Sequence, residues 1–397
     1  LEVREMKIAM MSRWNIPCGV SMHAELVGRA WVAMGHELEV LAPWEWEDYK
    51  TDVDEPFVKR CYRLPKPERK EGYFFDEKPF RDLNCDIFVV QNLEILPMED
   101  LYKVYPFIRE KAKTVFVVHE GKPPKAPIFY QFEWDGVVCF DERYKRFLEK
   151  IYPEEKIFII PYPCHPLQYG DKMEARKKLG LPLDRKILFN YGIGVYRHLH
   201  LLPTIERIHR EYPLILLTLT HIPEWYDLFE SVRHRYPFIE LRKGDIPISQ
   251  LYTYLHASDA LLVHKDSAEA VVVPSTAFLC LGSGCPILAY DTNFFETFDK
   301  EVIKYSDLGE VLREVFEGSE RVKETLRRAE EFVNHHSSYV IGERFISLFR
   351  SLLSSREEVS SSFSQPSSTF AKKMVWIKNN FIQERKDSWE GGRQGIG

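Results

Sequence analysis

The chain has 397 residues, a length that suits two domains and a tail, and 45% hydrophobic with 29% charged residues is an ordinary globular balance that excludes a fibrous or largely disordered chain. With 54 Lys and Arg against 60 Asp and Glu the net charge is −6, so the global basic surplus of a nucleic-acid binder is missing. No apolar run approaches the ~18 residues a membrane-spanning helix needs, and the charged start through Met11 lacks the apolar core of a secretory signal.

The chain carries 7 Cys, an odd number with no Cys-x-x-Cys, which reads as reduced thiols in a cytoplasmic protein. Frequent charges with sparse Asn and Gln lean towards a thermophilic source. Lys7–Met11 reads as a strand and Ser21–Gly35 as a helix with Leu26, Ala30 and Ala33 inward, closed by Gly35. Strands follow at 37–42, 86–91, 114–119 and 136–140. Apolar strings of this kind, separated by helices, specify a parallel sheet covered on both faces. This first domain spans 6–160. Residues 161–170 hold three prolines and read as a hinge.

A second α/β series fills 171–335, with strands at 186–191, 214–220, 239–242, 260–264 and 286–290. Helices are expected at 202–211 and 250–257 between them, and helical patterns at 310–316 and 321–334 follow. A C-terminal helix is expected over 336–353, then a Ser-rich linker at 354–369. A basic amphipathic tail, 370–397, puts Phe370, Met374, Ile377 and Phe381 on one face, flanked by Lys372, Lys373 and Lys378. Its first part, 370–386, is of a kind that lies on an anionic membrane. The fold class is therefore α/β, two doubly wound parallel-sheet domains of Rossmann type in tandem.

Open parallel sheets bind ligands at the carboxyl ends of their strands. Ser12–Ser21 occupies such an end, and Cys18, Gly19 and Val20 lead into a helix N-terminus suited to anions. His119, with Glu120 and Gly121 behind it, closes an apolar strand and points into the same crevice. The opening, MKIAMMSRWNIPCGVSMHAELVGRAWVAMGHELEVLAP, resembles that of GT-B glycosyltransferases of the GT4-like type, down to Gly35-His36 before the second strand. That resemblance extends over about residues 6–350, and it implies two Rossmann-like domains facing a cleft. It also implies sugar transfer from a nucleotide-diphospho-sugar, with retention of anomeric configuration, no metal and no cofactor besides the donor. The acceptor, a sugar, lipid or small molecule, is not encoded legibly.

The resemblance carries roles residue by residue. His119 takes the place of the family's catalytic His facing the donor sugar. KILFNYGIGVYRHLHLLPTIERI resembles the Gly loop and basic residue of the second domain, which puts Gly194 against the donor and Arg197 on its diphosphate. A guanidinium suits a departing diphosphate because it chelates two oxygens at once. In ELRKGDIPISQLYTYLHASDALLVHKD, Gly244 and Ile246 fall where the nucleotide base lies, and His264 and Lys265 end the next strand, Lys265 being the better phosphate ligand. His198 and His200 form an His-x-His with no third ligand spaced to complete a metal site. VVVPSTAFLCLGSGCPILAYD resembles the donor-binding helix, yet the two Glu of the family pattern fall on Val271 and Leu279. In their place Pro274-Ser275-Thr276 opens a helix with hydroxyls and N–H groups together, a diphosphate cradle. Loss of both carboxylates leaves a non-catalytic binder of nucleotide sugars, or of a protein partner, as the rival reading. A nucleotide-sugar epimerase is a further one, and would need acidic groups in the cleft.

Overall fold

The structure is a computed structural model, and it describes residues 5–44, 52–64 and 72–359. The tail at 370–397 and most of the Ser-rich stretch lie outside the described residues. In the first domain β1 (Lys7–Met11), β2 (Glu37–Pro43), β3 (Val58–Arg63), β4 (Phe74–Phe75), β5 (Ile87–Gln91), β6 (Lys113–Val117), β7 (Gly136–Cys139) and β8 (Ile157–Ile159) form one sheet. Its order is β4-β3-β2-β1-β5-β6-β7-β8. Only the β3/β4 pair is antiparallel. The second sheet holds β9 (Lys186–Tyr191), β10 (Leu214–Thr220), β11 (Ile239–Lys243), β12 (Ala260–Val263), β13 (Ile287–Tyr290) and β14 (Ile303–Tyr305), in the order β11-β10-β9-β12-β13-β14. It is parallel throughout.

Central strands follow their composition. Every residue of β5 and of β10 is buried, which requires helices over both faces. The strands that sequence reading passes over, β3, β4, β8 and β14, lie at or next to sheet edges. In β3 the basic residues Lys59, Arg60 and Arg63 interrupt the apolar pattern. The Arg60 side chain is nonetheless buried, paired with Asp54 and donating to the Pro43 and Trp14 carbonyls.

The first helix, α1, covers Gly19–Ala33, starting two residues before the expected Ser21. Gly35 follows it at φ +86°, the left-handed turn that ends a helix. Ala33, expected to point inward, is exposed. The chain crosses between domains twice, and the two crossings lie side by side. Cys164 N–H donates to the His336 carbonyl at 2.7 Å, and Ser338 N–H donates to the Cys164 carbonyl at 2.9 Å.

The second crossing delivers the closing helix, Ser338–Val359, back onto the first domain. There Phe345 and Phe349 meet Trp31 of α1 edge to face at 5.6 and 5.3 Å. This helix runs to Val359, so the first residues of the expected linker at 354–369 are helical; Ser354 stays in register by donating to the Arg350 carbonyl.

Two further contacts tie the domains together. Arg143 of the first domain pairs with Asp141 beside it and reaches Glu296 (2.6 Å), the Thr297 hydroxyl (2.9 Å) and the Val272 carbonyl (3.2 Å). The Val271 N–H donates to the Gly121 carbonyl at 3.0 Å. A Cβ on Gly121 would stand 1.9 Å from the Val271 oxygen, so only glycine permits the approach.

Candidate active site

Each sheet reverses its strand order once, between β1 and β5 and between β9 and β12. Loops at such switch points part to opposite faces and leave a crevice. The two crevices face each other and merge into one cleft of about 690 Å³. The first domain lines it with Ile16 to Gly19 and, from α1, with Met22, Glu25, Leu26 and Arg29. The second domain contributes Tyr191 to Gly194 after β9, Gly244 to Ser249 after β11, His264 and Lys265 after β12, and Pro274 to Thr276.

Of the residues picked out from sequence, Cys18, Gly19, Gly194, Gly244, Ile246, His264, Lys265, Ser275 and Thr276 line this one cleft. Val20, His119 and Arg197 do not. Cys18 is the N-cap of α1 and gives it no side-chain cap; Val20 is already in the first turn. Gly19 lies close against the second domain. A Cβ there would lie 3.0 Å from Ser275 Oγ, and the Gly19 carbonyl accepts from the Tyr162 hydroxyl of the crossing segment at 2.6 Å. The start of α1 therefore looks across at the start of the helix Ser275–Cys280. Both ends carry positive partial charge, an arrangement that an anion between them stabilises.

The cradle at Pro274 is narrower than its sequence promised. Ser275 N–H turns back to the Val273 carbonyl at 2.8 Å and Ala277 N–H to the Pro274 carbonyl at 2.8 Å. The two hydroxyls are left as the main polar groups of this corner. Lys265 supplies the charge. Its Nζ sits against the glycine loop, 2.6 Å from where a Gly194 Cβ would be, so any side chain at 194 would displace the amine. Burial first, then the nearby Arg197, lowers the Lys265 pKa, while Asp266 raises it.

His264 is held by its neighbours. Its ring stacks on Tyr290 at 4.2 Å, and Nδ1 meets the Tyr305 hydroxyl at 2.8 Å. Burial lowers its pKa to about 4, so it is a neutral hydrogen-bonding group at pH 7. His264 N–H donates to His198 Nε2 at 3.2 Å, which requires the His198 proton on Nδ1, where it donates to the Val195 carbonyl at 2.9 Å. Both His198 nitrogens are thus engaged within the protein. Arg197 turns away from the cleft, ion-paired with Asp266 and over the Tyr196 ring at 5.1 Å.

His119 ends the β6 segment, where its Nε2 meets Gln91 Oε1 at 2.9 Å and its ring packs edge-on against Phe140 at 4.9 Å and His23 at 5.1 Å. Burial lowers its pKa to about 3. Glu120 behind it accepts from the Glu94 and His119 backbone N–H groups at 2.9 and 3.0 Å, and burial raises its pKa to about 7.

Sequence reading missed the polar face of α1. Glu25 Oε1 accepts from Ser21 Oγ (2.8 Å) and Asn15 N–H (3.0 Å), and Glu25 Oε2 pairs with Arg29 (3.0 Å). Arg29 also pairs with Glu55 at 2.7 Å. Burial raises the Glu25 pKa, and Arg29, Ser21 and Asn15 pull it back. The four-residue spacing of Glu25 and Arg29 was the available signal. Val271 and Leu279, the positions without the expected carboxylates, divide. Leu279 lines the cleft, and Val271 is spent on Gly121.

The architecture has many solved counterparts. A glycosyltransferase from Rickettsia africae ESF-5 superposes with a TM-score of 0.63 at 14% identity, over 88% of this chain and 99% of that one. Sucrose-phosphate synthase from Thermosynechococcus elongatus gives 0.62 at 14% identity, over 88% and 100%. Anabaena Alr3699/HepE, solved with UDP and glucose, gives 0.63 at 11% identity, over 87% and 100%. This chain has the GT-B fold. The cleft described above is the groove between the two GT-B domains. The chain matches no protein-family model. Among the described residues of this GT-B chain no helix is long and apolar enough to cross a membrane, and all seven cysteines are free.

Proposed function

We propose that this protein is a glycosyltransferase that moves a hexosyl group from a nucleotide-diphospho-sugar to an acceptor hydroxyl. One observation carries the reading: the start of α1, the Ser275 and Thr276 hydroxyls and the Lys265 amine all line the one cleft in which both switch-point crevices meet. A diphosphate is the ligand group that such a lining favours. As the glycosidic bond to the donor breaks, negative charge grows on the leaving diphosphate. Lys265, the Ser275 and Thr276 hydroxyls and neutral His264 stabilise that charge without a divalent ion. Transfer then proceeds with retention, and the Gly194 loop lies along the phosphates. Similar folds support the reading: one is described with UDP and glucose and another, starch synthase IV from Arabidopsis thaliana, with ADP and acarbose.

The acceptor enters along the first-domain wall, past Cys18 and Gly19. The protein works in the cytoplasm, and its 370–386 segment gives it a peripheral hold on the membrane. A thermal-shift panel of UDP, GDP and ADP and their sugar conjugates, with and without EDTA, tests the donor site. A shift with one base, unchanged by EDTA, is expected. Transfer is then read as nucleoside diphosphate released only in the presence of acceptor.

A second reading, a nucleotide-sugar binder without turnover, is favoured by apolar Leu279 in the cleft. It predicts the same thermal shift with no release of diphosphate under any acceptor. Free epimerised sugar nucleotide without acceptor would instead mark an epimerase.

A further inference from the structure

The residues that sequence reading set against the donor sugar are not available to it: His119 lies outside the cleft lining, and Val271 is spent on Gly121. One aromatic side chain beside Lys265 has no task in the mechanism above. Phe294 lies in the turn Asn293–Phe295 after β13, lines the cleft and is half-buried. Lys265 Nζ stands over its ring, 5.9 Å from the centroid. The turn is clamped to the loop that carries Lys265. Thr292 Oγ1 donates to the Lys265 carbonyl at 3.0 Å. Asn293 exchanges two bonds with the Ala268 backbone, accepting at Oδ1 and donating from Nδ2, both at 2.8 Å. Phe295 is fully buried and meets Phe294 edge to face at 5.1 Å. Just beyond, Glu296 and Thr297 are held by Arg143 of the first domain. The Phe294 ring is thus fixed beside the phosphate-facing amine and next to the junction with the first domain.

We propose that Phe294 receives the transferred sugar of the donor, its ring packing on an apolar C–H face of the pyranose. The inference rests on the nucleotide-sugar reading of the cleft. A phenyl ring left half-open in a cleft gains from being covered by a ligand. The diphosphate is not what covers it. A phosphate loses hydration against an apolar ring with no hydrogen bond in return, and the negative face of the ring repels it. The group joined to the distal phosphate is the sugar, an uncharged ring that has to lie between the diphosphate and the acceptor on the first domain. Equatorial hydroxyls of a pyranose stand at its rim and axial hydrogens on its faces. One face can therefore leave water against an aromatic ring while the hydroxyls keep their hydrogen bonds. The clamp on Ala268 and the buried Phe295 hold the phenyl ring in place before the ligand arrives, which lowers the cost of binding.

The test measures dissociation constants on the full chain by calorimetry, for UDP with UDP-glucose, GDP with GDP-mannose and ADP with ADP-glucose. The pair that the wild type binds is carried forward. Phe294→Ala should weaken the sugar conjugate at least about fivefold and the free diphosphate less than about twofold. Phe294→Tyr, which keeps the flat ring, should hold the conjugate within about twofold of wild type. If Phe294 only props the Lys265 amine, both ligands weaken alike, and that result overturns the proposal. So does a conjugate affinity unchanged in Phe294→Ala, or a wild type that binds a diphosphate and rejects its hexose conjugate. Should Phe294→Ala not fold, Phe294→Leu, which keeps the apolar bulk and loses the flat face, is held to the same criteria. A wild type that binds none of the three diphosphates fails at the earlier step and refutes the donor-site reading itself.

Discussion

The two walls of the cleft spend their charges differently. On the first-domain wall Glu25, Arg29, Glu55 and Asn15 satisfy one another, and their hydrogen bonds shape the loop from Ser12 to Cys18. On the second-domain wall Lys265 makes no ion pair among the described residues, because the adjacent Asp266 is taken by Arg197. One set of charges holds the protein together; the other is held ready for a ligand. Position in the cleft alone does not distinguish them, and partner assignment does.

That contrast breaks first at Lys265. Lys265→Ala should weaken nucleoside-diphosphate binding about 100-fold, the size of a lost charge-assisted contact. Its melting temperature should hold or rise slightly, since a partly desolvated amine is removed. Calorimetry beside a thermal melt checks both, and unchanged affinity would sink the diphosphate assignment.

Glu120 tests the first domain by pH. The free carboxyl titrates near 4.5 and the folded one near 7. The fold therefore holds the proton more tightly, and the stability this contributes is complete below pH 4.5 and is lost as the pH rises through 7. The loss amounts to about 3 kcal/mol at the limit. Glu120→Gln should flatten that part of the denaturant-derived stability profile; a profile with the same slope as the wild type would rule the group out.

Arg29→Ala should give the reverse of Lys265→Ala. It strands the buried Glu25 carboxylate and should cost about 2 kcal/mol of stability, with nucleotide affinity within about threefold. Equal losses in both measurements would erase the distinction between the walls.

Arg143 joins the walls without lining the cleft. It holds the Val272 carbonyl three residues before Ser275, and Glu296 and Thr297 just after the cleft residues Phe294 and Phe295. Arg143→Ala should raise the donor KM about tenfold and leave kcat less affected, with a larger radius of gyration by X-ray scattering. An unchanged radius would remove the latch. The smallest effect is expected for Arg197→Ala, under threefold on nucleotide binding, because its guanidinium is spent on Asp266. A hundredfold loss would return Arg197 to the ligand.

Much of the fold was legible in the residues themselves. The largely apolar β5 and β10, and the glycine after α1, specify buried parallel strands and a helix end through local chemistry. So do the strand-loop-helix spacings that bring Gly194, Gly244, Ser275 and Thr276 to the sheet's carboxyl edge. Charged edge strands such as β3 were not legible, because Arg60 is buried only by Asp54 and two carbonyls that the chain brings from elsewhere.

The same divide runs through the candidate site. Sequence alone pointed to most of the loops that reach the cleft, since loops at the carboxyl ends of parallel strands gather at one edge of the sheet. Tertiary structure decided which side chains there are available. His119 and Arg197 have the right chemistry but meet Gln91 and Asp266 in the folded chain, while Lys265 is left to the cleft without an ion pair among the described residues. A side chain's availability depends on partners distant in sequence, and burial sets the cost of leaving it without one.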